Sequence, residues 1–134
     1  MTVADHAEMH ADHSHWTNEV NMWRDDIDLW RKEIQEALDE LKNVKAALDE
    51  HDKALKAHAA AIRLHHQSLG KHEQALAEFE QGGTAEELLT MAPEHQKEDA
   101  RHGQQRNAHE RIKKHHHTMI AQLNLVQKAL SQAL

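Results

Sequence analysis

From its start to Gly70 the chain contains neither glycine nor proline. Over that stretch and on to Phe79 one set of positions recurs in steps of three and four. One series reads Val20, Ile27, Ile34, Leu41, Leu48, Leu55, Ile62, Leu69 and Leu76. The other, interleaved with it, reads Trp16, Trp23, Trp30, Ala37, Val44, His51, His58, His65, His72 and Phe79. Backwards, the same register takes in His13, Met9 and His6. A repeat this long with no breaker specifies one long helix with a heptad seam, over residues 4–81. A break near Asn43, giving three shorter helices, is the alternative, but the sequence supplies no turn signal there.

Gly82 and Gly83 stop that helix, and Thr84 with Glu87 three residues on has the spacing of a capping box that opens the next one. Pro93 is a candidate kink near its start. The heptad then resumes as Leu88, His95, His102, His109, His116, Leu123 and Leu130, interleaved with Met91, Glu98, Gln105, Ile112, Met119, Val126 and Ala133. The predicted fold class is therefore all-α: a long antiparallel helical hairpin of coiled-coil type, residues 34–134 with the turn at 82–84. Residues 1–33 form an N-terminal helical arm, and the whole assembles into a homo-oligomeric helical bundle.

Folding the chain at the two glycines predicts its side-chain register. His72 falls opposite His95, His65 opposite His102, His58 opposite His109 and His51 opposite His116. Apolar pairs fill the intervening layers, except that Leu69 meets Glu98 and Ile62 meets Gln105. On the flanks, Asp52 is expected near Lys113 and His66 near Asp99. The arm's stripe of Trp16, Trp23 and Trp30 requires a partner. With Glu19 and Asp26 on one flank and Arg24 and Arg31 on the other, a parallel pairing of copies joins opposite charges, whereas an antiparallel one opposes like charges. Ala47, Ala54, Ala61, Ser68 and Ala75 form a flank of small residues open to a further helix. A parallel dimer of hairpins is the first expectation and a trimer the second.

Composition closes off several functions. Aromatic residues are 3% of the chain, with no tyrosine, which disfavours sheets. A formal charge of -7 does not suit a nucleic-acid partner, since phosphate binding needs clustered Lys and Arg. No apolar run is long enough for membrane insertion, and the polar, acidic opening from Met1 to His15 does not read as a signal peptide. The default expectation is a soluble, cytoplasmic protein. The absence of cysteine removes thiolate sites and covalently attached haem.

Histidine is the anomaly, at fifteen residues where about three would be average for this length. Leu or Ile at the eight seam positions would make a more stable helix pair, so imidazole there points to another purpose. Neutral imidazole is a ligand for zinc, copper, nickel, cobalt and ferrous iron, with zinc or copper favoured here. The candidate metal-binding residues are His51, His58, His65, His72, His95, His102, His109 and His116, with Glu98 and Asp99 as nearby carboxylates that ligate or orient. Layers one heptad apart are about 10.5 Å from each other, too far to share an ion, so each layer holds its own. His6, His10, His13 and His15 are a lesser cluster at the arm's tip. Of His115, His116 and His117 only His116 is expected to face inward.

The expected function is storage, buffering or delivery of a transition metal, with no enzymatic turnover. The competing reading is a structural or interaction coiled coil whose histidines set register or respond to acid. A bis-histidine haem or redox bundle is a further alternative.

Overall fold

The computed structural model describes residues 2–132; Ala133, the last heptad position, lies outside them. Two helices, α1 (Val3–Glu80) and α2 (Ala85–Leu130), account for nearly all of the described residues, which contain no strand. The all-helical expectation holds, and α1 passes through Asn43 without a break. The Asn43 amide instead donates to Glu40 Oε2 one turn earlier, at 3.3 Å.

The helix ends are built by local chemistry. Thr2 and Asp5 cap α1 reciprocally: the Asp5 amide donates to Thr2 Oγ1 at 3.1 Å, and the Thr2 amide to Asp5 Oδ2 at 3.0 Å. The Thr2 amide and the Thr2 hydroxyl, both donating to Asp5 Oδ2, hold the Asp5 carboxyl below the usual carboxylate range. At the turn, the amides of Gly82 and Gly83 both donate to the Phe79 carbonyl, at 3.1 and 2.6 Å. Gly82 has φ +144, a backbone region that side chains disfavour. A Cβ on Gly83 would be driven into the Phe79 ring. Thr84 then caps α2, its hydroxyl accepting the Glu87 amide at 3.3 Å. Pro93 lies inside α2 without ending it.

The chain resolves into two compact units, residues 1–50 and 51–134. The first is the N-terminal part of α1 alone. Its seam is uncovered: Trp16, Trp23 and Trp30 are 56%, 56% and 57% exposed, with Val20 and Ile27 open between them and Ile34 open beyond. The second unit is the hairpin, in which the rest of α1 runs antiparallel to α2. Leu55, Leu69, Leu76 and Phe79 of α1 and Met91 and Ile112 of α2 are half-buried along the predicted seam. No apolar residue among those described is buried, and the one buried residue among them is Glu98, 6% exposed. Two helices alone cover one another on one side only.

Candidate metal centre

The four histidine pairs form in the register read from the sequence, and with one geometry. In each, the α1 ring offers Nε2 and the α2 ring Nδ1. The separations are 3.1 Å for His51 with His116, 3.1 Å for His58 with His109, 3.1 Å for His65 with His102 and 3.0 Å for His72 with His95. Ring centroids lie 5.2 to 5.4 Å apart, with planes inclined by 18° to 33°. The sameness follows from the repeat: seven residues return the same face of each helix, so all four pairs share one side-chain direction. Each pair is a hydrogen bond in which one nitrogen carries the proton and the other accepts. Because α2 commits Nδ1, the nitrogen its histidines turn away from the partner ring is Nε2.

This ladder is not sealed. The α1 histidines and His116 are half-buried, but His95, His102 and His109 are exposed. The ladder is therefore accessible to small ions from the α2 side.

Two layers carry extra groups. At His65 and His102, Glu98 reaches across from α2. Its Oε1 accepts from Ser68 Oγ at 2.5 Å and from the Arg101 guanidinium at 2.7 Å. Its Oε2 lies 3.8 Å from His65 Nδ1 and has no hydrogen-bond donor. The Ser68 hydrogen bond does most to hold the Glu98 carboxyl below the usual carboxylate range. Burial opposes it, and Arg101 and then His65 add to the lowering. At His51, the ring of His115 stands edge-on, 5.3 Å away, besides that of His116. His115 is exposed, as expected, while its ring also packs against that of His51.

Other expectations need adjusting. Ser68, assigned to a flank awaiting another helix, donates within the hairpin to Glu98. Asp52 pairs at 3.1 Å with Lys56, one turn along its own helix, because neighbours four residues apart meet without crossing between helices. Asp99 is exposed. At the arm's tip His6 and His10 meet edge-to-face at 4.7 Å, and with Met9 and His13 they line a shallow groove. His15 bonds Glu19 at 2.7 Å.

Among the described residues no three His, Asp or Glu side chains converge on one point. Each layer therefore offers two nitrogens from one chain. In a tetrahedral zinc site, ligands at 2.0–2.1 Å stand about 3.3 Å from one another. The observed separations of 3.0 to 3.1 Å are close to that edge. Two nitrogens at that spacing match one edge of a tetrahedral coordination sphere.

Comparison with protein-family models, curated proteins and solved structures gave no match. The functional reading rests on the geometry. No helix among the described residues is long and apolar enough to cross a membrane.

Proposed function

We propose that the protein is a transition-metal-binding helical bundle that stores, buffers or delivers a divalent ion such as zinc or copper, without turning over a substrate. One observation carries this reading: four layers each present two imidazole nitrogens about one ligand edge apart. A layer's remaining positions are filled by water or by a second hairpin. The uncovered seam of the arm and the one-sided cover of the hairpin support assembly with another copy. A parallel dimer matches Glu19 with Arg24 and Asp26 with Arg31.

A second reading has its own support in the same pairs. Two neutral imidazoles satisfy one another without any metal, so the ladder also serves as a polar device that fixes register. Protonation of both rings of a pair removes the acceptor and sets two like charges together. On this reading the hairpin loosens in acid and ignores metal.

Elemental analysis of protein purified without chelator, followed by zinc and copper titration at neutral pH, separates the two. Binding that scales with the number of intact layers supports storage. Histidine spectra unchanged by either metal at micromolar concentration would leave the structural reading.

A further inference from the structure

The four layers are alike in their paired nitrogens and unlike in what stands behind them. Behind the α1 ring of one layer, at His65, sits Glu98, the one buried residue among those described, and its Oε2 has no hydrogen-bond donor. A buried carboxylate oxygen left so is costly. The geometry around it shows what it awaits. Ser68 and Arg101 both hold Oε1, which fixes the carboxylate and leaves Oε2 turned to His65 Nδ1, 3.8 Å away. A shift of about 1 Å brings that pair to hydrogen-bond distance.

We propose that the His65–His102 layer is the highest-affinity metal site of the four, taking a divalent transition cation between His65 Nε2 and His102 Nδ1, with Glu98 as the positioning residue behind His65. The inference rests on the metal reading above and deepens it by ranking the layers. A histidine that ligates through one nitrogen must keep its proton on the other, and a carboxylate there fixes the tautomer and makes the ligating nitrogen more basic. Glu98 Oε2 selects His65 with its proton on Nδ1 and its lone pair on Nε2. In the metal-free pair, His102 then donates its Nδ1 proton to His65 Nε2. When the cation binds, that proton moves to His102 Nε2, the outward nitrogen, so neither ring changes charge.

Two further features suit this layer. A groove of about 320 Å³ beside it, lined by His65, Ser68, Arg101 and Gln105, has room for water as additional ligands. Gln105 Oε1 is also buried without a hydrogen-bond donor, and is placed to accept from such a water. Glu98 thus acts through His65 and is not itself a ligand, since both Oε1 partners would have to be displaced for it to turn.

The test is a zinc(II) titration of the full chain followed by histidine ring ¹⁵N spectra, with the first-equivalent affinity measured against a competing chromophoric chelator. The first equivalent is expected to shift His65 and His102 before the other six ladder histidines. Glu98→Gln, which is close in shape, is expected to weaken that equivalent by about 10–100-fold and to abolish the order of filling. A first equivalent that goes to another layer, or an unchanged affinity in Glu98→Gln, overturns the ranking while leaving metal binding intact. If the wild type binds no zinc at any layer, both readings fall. Should the variant fold poorly, metal-free wild type still decides: His65 must carry its proton on Nδ1, and an Nε2-protonated His65 overturns the role given to Glu98.

Discussion

Two histidines facing each other across a helix seam can stay neutral and paired only by sharing one proton between the facing nitrogens. Each layer is therefore a unit, and removing half of it differs from removing all of it. Replacing His58 and His109 together by leucine swaps a polar pair for an apolar one of similar size. Metal-free stability is expected to rise by on the order of 1 kcal/mol, and one layer's metal to be lost. His58→Leu alone should give little or no gain, because His109 keeps a ring nitrogen without its partner. Urea denaturation of the three proteins checks the order. Glu98 makes a separate prediction about acid. Its folded pKa lies below the ordinary value, so ionised Glu98 stabilises the fold above the unfolded pKa, and the contribution is lost as pH falls through the folded one. The charged or titratable groups at it are Arg101 on α2 and His65 on α1, and both favour the carboxylate. In metal-free protein, the stability deficit of Glu98→Gln should persist through mild acid and vanish only below the usual carboxylate range. A deficit that is the same at every pH would mean that shape, not charge, matters at 98.

At the level of the helices, the register could be read because two independent signals agree: a pair of glycines fixes the turn, and four histidines from each side meet only if the fold is made there. A seam pattern reports which residue faces a partner, and it does so for His72 and His95 as for His51 and His116. It does not report which side-chain atoms meet. The capture of Glu98 Oε1 by Ser68 and Arg101, and the packing of His115 against His51, depend on positions beside the seam, where several rotamers are open to a long side chain or a broad ring. The exposure of His95, His102 and His109 was equally hidden, since a heptad pattern does not say how many helices close over it. Pro93 shows a local rule overridden by its neighbours. It removes the amide that would bond the Leu89 carbonyl, yet α2 continues through it. Leu89 is 74% exposed, so water can take up that carbonyl. Pro93→Ala is therefore expected to raise the melting temperature and stabilise the hairpin by about 1–2 kcal/mol, less than the full penalty of a sealed helix interior. No gain would mean that Pro93 fits its site without strain.

For the molecule as a whole, the missing cover is the main physical fact. Three tryptophans more than half exposed on one helical stripe, with apolar residues between them, would not remain in water if a partner could cover them. On the proposed assembly the charges beside the stripe favour a parallel partner, since a second copy laid parallel would set Glu19 against Arg24 and Asp26 against Arg31. Burying Trp23 in such a seam contributes about 3–5 kcal/mol per ring. Trp23→Ala should therefore weaken association by at least a hundredfold, visible as a shift toward monomer in sedimentation equilibrium. That result alone would not distinguish a parallel from an antiparallel arm, because either buries the ring. The charges can. Arg24→Glu places like charges together in a parallel pair and should weaken it. Adding Glu19→Arg restores complementarity only if residue 19 of one chain meets residue 24 of the other. Recovery of the wild-type oligomer in the double variant would establish the parallel arm, the arrangement in which like histidine layers of two copies could complete one another. A double variant as weak as the single would remove the geometric basis for layers of four histidines and leave water as the ligand that completes each pair.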